Sequence, residues 1–104
     1  MANTKVEINI ATVASKEVYI IGSCMALGNW NPEKAVKLEY LEDKNVFHLS
    51  KLLPEGQLIE FKVLADKTWD SVEKGWYEEE VENHILTPHK GLVVSLEIPR
   101  FQGK

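Results

Sequence analysis

Residues 18–38, VYIIGSCMALGNWNPEKAVKL, decide the fold, because a short strand, a turn and a return strand follow one another there. The apolar run VYIIG is typical of a buried strand. Gly28 and Asn29 tolerate positive φ and Pro32 interrupts regular pairing, so these residues predict a turn. Trp30 lies within that turn. A large aromatic there either closes one end of a core or forms an exposed contact surface, and burial is the commoner use of an indole.

Further short segments on both sides of this stretch alternate apolar and polar residues. Residues 59–65 place Ile59, Phe61 and Val63 on one face and Lys62 on the opposite one, which leaves the Lys62 amine free for a ligand or for solvent. Short strands separated by turns at about 8–12-residue spacing predict an all-β sandwich or barrel. The other predicted strands are residues 5–13, 18–22, 36–41, 46–49, 84–86 and 92–98, with a polar tail after the last.

The longest irregular stretch is residues 70–83, which are polar and acidic apart from Val72, Trp76, Tyr77 and Val81. Long loops in small domains are more often functional than accidental. One or two helical turns over residues 73–82 are the alternative, although isolated helices this short are marginal.

Composition limits the classes of partner. The 104 residues form one predicted domain, 1–104, with 12 basic and 16 acidic residues and a net charge of −4, which argues against nucleic acid. The sequence has no apolar run of about 18 residues and no apolar stretch typical of a signal peptide, so no membrane partner is expected. As given, the chain is predicted to be cytoplasmic, or extracellular if excised from a secreted enzyme. The single cysteine, Cys24, cannot form an internal disulfide.

Catalytic and metal-binding patterns are weak. A glycosidase acid needs burial and a partner at fixed separation, whereas the acidic run Glu78, Glu79, Glu80 and Glu82 is typical of a solvated face. The three histidines lack metal-ligand spacing. We therefore expect no enzyme activity, no metal and no cofactor.

A resemblance extends over about residues 18–98. The segments IGS at 21–23, ALGNW at 26–30 and AVKL at 35–38 begin it, and LPEG at 53–56, IEFKV at 59–63, WD at 69–70 and Asn83 continue it. In this order they resemble the family-20 carbohydrate-binding modules (CBM20), the starch-binding domains often appended to amylases. The resemblance implies an antiparallel, immunoglobulin-like β-sandwich of about seven to eight strands. It also implies binding of α-glucans such as starch, glycogen, maltooligosaccharides and cyclodextrin.

The family's main site pairs a tryptophan of the Gly-Asn-Trp turn with a second tryptophan after the lysine-bearing strand. By this resemblance Trp30 and Lys62 are site residues. The second indole is Trp69 or Trp76, and Trp69 is preferred because an acidic residue follows it and it lies just past the hairpin. Trp76 lies farther into an enlarged loop and is expected as an added lip over the same surface. Asn83 matches the family's amide.

The match to the family's second site is partial. Tyr40 and Phe47 occupy plausible positions, but Phe47 stands where a tryptophan is usual, and Ala14 replaces an expected tyrosine. We expect at most a weak second site, with Phe47 in the core.

The resulting hypothesis is a non-catalytic module that targets an α-glucan, either appended to a glycoside hydrolase or free-standing. The alternative is an immunoglobulin-like protein-interaction module with a degenerate sugar site. The sequence leaves open the preferred glucan and the oligomeric state.

Overall fold

Two four-stranded sheets pack face to face around one apolar core. The computed structural model describes residues 2–103. Its strands are β1 (Asn3–Ala11), β2 (Tyr19–Gly22), β3 (Val36–Lys37), β4 (Glu39–Leu41), β5 (Val46–Pro54), β6 (Ile59–Leu64), β7 (Glu73–Lys74), β8 (His84–Leu86), β9 (Val93–Glu97) and β10 (Arg100–Phe101). The first sheet has the order β4-β5-β1-β9, the second has the order β3-β2-β6-β8, and β7 and β10 form a small two-stranded sheet. The predicted β-sandwich is confirmed.

The first sheet is built on β1, whose alternating sequence buries Val6, Ile8 and Ile10 completely and exposes Lys5 and Glu7. β1 pairs antiparallel with β5 and parallel with β9, so one pair in the sandwich departs from the predicted antiparallel arrangement. Predicted strand 36–41 is also divided: β3 pairs in the second sheet and β4 in the first. The chain crosses between sheets at the buried Leu38, so the structure has more strands than expected.

The second sheet packs apolar residues against the core and also carries an apolar cluster on part of its outer face, beside the site. In β6, Ile59, Phe61 and Val63 face the core, as the alternation predicts. The outward-facing Leu64 is also buried, because it joins a second apolar cluster with Tyr19, Ile21 and Ala35 on the outer face of the sheet. Trp30 and Val72 pack against this cluster.

The C-terminal residues do not form the expected polar tail. Arg100 and Phe101 pair with Lys74 and Glu73 as β10 and β7, and Phe101 is almost completely buried. An aromatic side chain gains more from filling the core than from solvent, so this short return strand closes one end of the sandwich.

Residues 70–83 are irregular, as predicted, and the helical alternative is wrong. A 3₁₀ turn at Trp69–Ser71 leads into β7, followed by a turn in which the Glu78 N–H donates to the Gly75 carbonyl oxygen at 3.0 Å. None of the helical turns within residues 2–103 has the length and apolarity needed to cross a bilayer.

Candidate functional site

A strained turn presents Trp30. Gly28, Asn29 and Trp30 have φ values of 87°, 51° and 63°, three consecutive residues in the left-handed region. That region is unfavourable for a bulky side chain and persists only where other contacts hold it. Here the Trp30 N–H donates to the Gly22 carbonyl oxygen at 3.0 Å, and the Asn29 N–H to the Cys24 carbonyl oxygen at 3.0 Å. A Cβ on Gly28 would lie 2.7 Å from the Lys34 carbonyl oxygen, so only glycine fits there.

Trp69 lies beside Trp30. The ring centroids are 6.2 Å apart and the ring planes are tilted by 30°, so the two indoles form adjacent faces of one surface. Trp30 is half-buried against the outer apolar cluster, whereas 41% of Trp69 is exposed. The turn before Trp69 is held by Asp66, whose Oδ1 accepts from the Thr68 N–H at 3.1 Å and from the Thr68 hydroxyl at 2.7 Å.

Lys62 extends from the same outer face of the second sheet. Its strand partner is Ile21, next to the Gly22 carbonyl that holds Trp30. The Lys62 ammonium donates to the Val81 carbonyl oxygen. Lys62, Val81 and Trp69 all line one cavity of about 180 Å³. Its lining also includes Val72, Glu73, Lys74 and Glu80. The structure therefore brings the predicted residues Trp30, Lys62 and Trp69 together.

Asn83 lies at the edge of this surface. It immediately precedes β8, one step beyond the Phe61–His84 pair and so opposite Lys62 in register. Its side chain is exposed, and its amide donates to Glu60 Oε1 at 3.3 Å. Glu60 was not singled out by the sequence analysis, although its spacing of two residues from Lys62 on one strand places both on the same face.

A buried carboxylate supports the strand that carries Lys62. Glu73 lies within the acidic stretch but is buried, and it accepts from the Val63 N–H at 2.7 Å. His84 Nε2 lies 2.7 and 2.9 Å from the two Glu73 carboxylate oxygens, so this nitrogen must carry a hydrogen. The His84 ring also packs on Phe61, with ring centroids 5.1 Å apart. The sequence pattern did not distinguish Glu73 from its exposed acidic neighbours.

Trp76 is not a lip over the Trp30–Trp69 surface. It is 62% exposed and lines a different cavity of about 290 Å³, formed with residues 11–13, Asn45 and residues 97–99. The turn at Gly75 and the bond from Arg100 Nε to the Trp76 carbonyl oxygen, 2.7 Å, hold the backbone that carries this side chain. This corrects the expected placement of Trp76.

Tyr40 and Phe47 are in contact, with ring centroids 4.9 Å apart, but they differ in exposure. Phe47 is buried, in agreement with its predicted place in the core. Tyr40 is 45% exposed, and its hydroxyl donates to Asn45 Oδ1. The pair therefore offers a single exposed ring.

The geometry offers no arrangement for acid–base chemistry at the acidic run. Glu78, Glu79, Glu80 and Glu82 are all exposed, whereas a general acid needs burial to raise its pKa. Within residues 2–103, no group of three or more histidine, cysteine, aspartate or glutamate side chains could hold a metal ion.

Comparison with known proteins identifies relatives. The family profile described as "Starch binding domain" matches residues 2–96. A glucan 1,4-alpha-maltotetraohydrolase of Roseateles saccharophilus is 38% identical over 63 residues, covering 61% of this chain and 11% of that protein. A cyclomaltodextrin glucanotransferase of Bacillus sp. (strain 17-1) is 33% identical over 69 residues, covering 60% of this chain and 10% of that protein. The chain thus corresponds to about a tenth of the length of these curated relatives.

Solved structures share the fold. The family-20 module of a maltotetraose-forming amylase from Pseudomonas saccharophila STB07 matches with a TM-score of 0.69 and 27% identity, over 89% of this chain and 98% of that one. A glucoamylase from Hypocrea jecorina matches with a TM-score of 0.70 and 19% identity, over 99% of this chain and 18% of that one, which shows the fold alone.

Proposed function

The chain belongs to the family of starch-binding domains, CBM20, and from this premise we propose that it binds α-glucans without cleaving them. The observation that carries the proposal is the Trp30–Trp69 pair: two indoles 6.2 Å apart on one surface, with Lys62 lining the same cavity as Trp69. We assign the binding role to Trp30, Lys62 and Trp69, with Asn83 at the edge.

Indole faces suit glucose because a pyranose ring presents apolar C–H groups on its faces. If stacking removes roughly 100 Å² of apolar surface, each ring contributes on the order of 2.5 kcal/mol at about 25 cal/mol/Å². Two such contacts offset part of an association cost of about 4–15 kcal/mol, which predicts a Kd of about 10 μM to 1 mM. The 30° tilt between the indoles suits consecutive rings of a curved chain, as in an α-1,4-linked glucan, better than a flat ribbon.

Polar groups at the rim would orient the sugar. The Lys62 ammonium donates hydrogen bonds, the Glu60 carboxylate accepts them, and the Asn83 amide does both, so between them they can pair with the donor and acceptor sides of glucose hydroxyls. Asn83 and Glu60 are already hydrogen-bonded to each other at 3.3 Å. This contact holds both side chains in place before a ligand arrives and lowers the entropy cost of binding.

The biological role that follows is targeting, in which the module concentrates a partner on a polysaccharide. The matched relatives are enzymes about ten times longer than the aligned region. An appended glycoside hydrolase is therefore one arrangement, and a free-standing protein that binds storage glucan such as glycogen is the other.

Titration with β-cyclodextrin, followed by tryptophan fluorescence, tests the proposal. We expect a saturable change with a Kd of about 10 μM to 1 mM and no change with a β-linked oligomer such as cellohexaose. Mobility in a native gel should fall when soluble starch is included, and Trp30→Ala should abolish that retardation. Unchanged fluorescence and mobility for the wild-type chain would refute glucan binding and favour the protein-interaction alternative.

A further inference from the structure

One hydrogen-bonded pair joins the two ends of the loop that carries Asn83. Glu73 lies where the loop leaves the sandwich, and His84 lies where it returns as β8. The His84 Nε2–H donates to both Glu73 carboxylate oxygens, at 2.7 and 2.9 Å. The Glu73 side chain is 3% exposed, so water competes little for these bonds. The Glu73–His84 pair therefore closes the base of the loop.

Glu73 also takes the place of a strand partner for β6. Pairing of β6 with β8 ends at Phe61 and His84, two residues before Val63. The Val63 N–H, which β8 does not reach, donates instead to Glu73 Oε2 at 2.7 Å. A buried N–H needs such an acceptor. The same carboxylate thus holds the β6 edge on one side and His84 on the other.

His84 acts from the core side of the sheet, away from the sugar surface. It is the strand partner of Phe61, which faces the core, and the two rings pack with centroids 5.1 Å apart. Cross-strand partners share a face, and successive residues alternate between faces. Asn83, the preceding residue, accordingly lies on the outer face, where its amide donates to Glu60. An effect of His84 on a sugar bound at the outer face must therefore pass through its neighbours.

The other contacts of the returning segment, residues 81–83, lie nearer to solvent. Lys62 donates to the Val81 carbonyl oxygen, and Asn83 donates to Glu60 at 3.3 Å. Asn83 and Glu60 are both exposed, so water competes for their bond. The bonds to the buried Glu73 carboxylate are the stronger restraint on this segment.

We propose that the Glu73–His84 pair positions the polar rim of the glucan surface, by fixing the backbone of Asn83 before the ligand arrives. This inference rests on the proposed function, because it concerns the same site. Glu73 and His84 are positioning residues here, and neither is a sugar ligand. Without their bond, the cost of ordering residues 81–83 falls on the binding step. Loss of the pair should then weaken β-cyclodextrin binding on the order of tenfold.

Two matched substitutions at His84 test this role. His84→Met keeps a side chain of similar length without a donor, whereas His84→Gln keeps an N–H donor at about the reach of Nε2. Both remove the ring that packs on Phe61, so the difference between them isolates the donor. By calorimetry, His84→Met should bind β-cyclodextrin about tenfold more weakly than the wild-type chain, and His84→Gln should stay within about threefold. Equal affinities for the two variants would overturn the proposal.

A double-mutant cycle tests whether the effect passes through Asn83. In the Asn83→Ala background, which already lacks the amide, His84→Met should change the Kd by less than about twofold. A further loss of about tenfold in that background would overturn the proposed route, because it would show that the pair acts on the site independently of Asn83.

Backbone ¹⁵N relaxation tests the positioning in the wild-type chain and needs no substitution. The order parameter of Asn83 should be about 0.85 in the free chain and should stay there when β-cyclodextrin saturates the site. A value below about 0.6 that rises only with ligand would overturn the proposal, even if a His84 variant does not fold. In that case wild-type binding of β-cyclodextrin would leave the proposed function standing. If the wild-type chain does not bind β-cyclodextrin at all, both proposals fall.

Discussion

Replacement of Trp69 by alanine should separate glucan binding from folding. The Trp69 side chain is 41% exposed and contacts Trp30 at a centroid distance of 6.2 Å, so an alanine there forfeits one aromatic pair and little core. Such pairs contribute about 0.5–1.5 kcal/mol beyond area burial, which predicts a fall in melting temperature of about 2–12 °C. Binding loses the full stacking contribution of one glucose ring, roughly 100 Å² or about 2.5 kcal/mol. That corresponds to a loss of affinity on the order of 60-fold.

Isothermal titration calorimetry with β-cyclodextrin measures this loss without depending on indole emission. The matched control is Tyr77→Ala, because Tyr77 is an even more exposed aromatic, at 91%, in the adjoining 70–83 loop. We expect the control to bind within about twofold of the wild-type chain. The assignment of Trp69 is refuted if Trp69→Ala unfolds cooperatively like the wild-type chain and binds with a Kd within about threefold of wild type. Removal of an indole that stacks on glucose would reduce the affinity by more than that.

Three further predictions address the residues around the pair. Lys62→Met keeps the apolar stem and removes the amine, so β-cyclodextrin affinity measured by calorimetry should fall about tenfold; an unchanged Kd would contradict a contact to the sugar. Gly28→Ala should lower the free energy of unfolding by about 2 kcal/mol or more in a denaturant melt, because φ is 87° there and a Cβ would approach the Lys34 carbonyl oxygen to 2.7 Å. A decrease below about 0.5 kcal/mol would contradict this, since it would show that the turn can relax. Glu73→Ala leaves the buried Val63 N–H without its acceptor and should lower the free energy of unfolding by about 2–4 kcal/mol in the same assay. Glu73→Gln retains an acceptor oxygen and should lower it less. Equal decreases for the two variants would contradict the role of Glu73 as an acceptor.

The fold and the Trp30–Trp69 surface could be predicted from the sequence because both depend on local residue patterns. The alternation in β6 placed Phe61 in the core and Lys62 outside, and a strand period of two residues leaves no other choice once one face is buried. The Gly-Asn-Trp turn needs a left-handed backbone, for which Gly28 and Asn29 are the natural residues. Family resemblance then added the pairing of Trp30 with Trp69, whose ring contact connects residues far apart in sequence.

The rest depended on tertiary contacts that no local pattern encodes. Glu73 stands among exposed acidic residues, and only its position opposite the Val63 N–H and His84 explains its burial. Phe101 lies between Arg100 and Gln102, two residues after Pro99, yet it is buried and pairs with Glu73. Trp76 lines a different cavity from Trp69, and the turn at Gly75 and the contact of its backbone with Arg100 cannot be predicted from loop length alone.

The two indoles of the Trp30–Trp69 surface differ in how much they contribute to the stability of the backbone that carries them. Trp30 is attached to a strained turn, and the strain is offset by packing of its ring on the outer cluster of Ile21, Leu64 and their neighbours. The residue that would bind sugar thus also holds the backbone that presents it. Trp69 stands on a separate turn and reaches the same surface without supporting it. Substitutions at Trp69 therefore report on ligand contact most directly, whereas substitutions at Trp30 combine ligand contact with the stability of the turn.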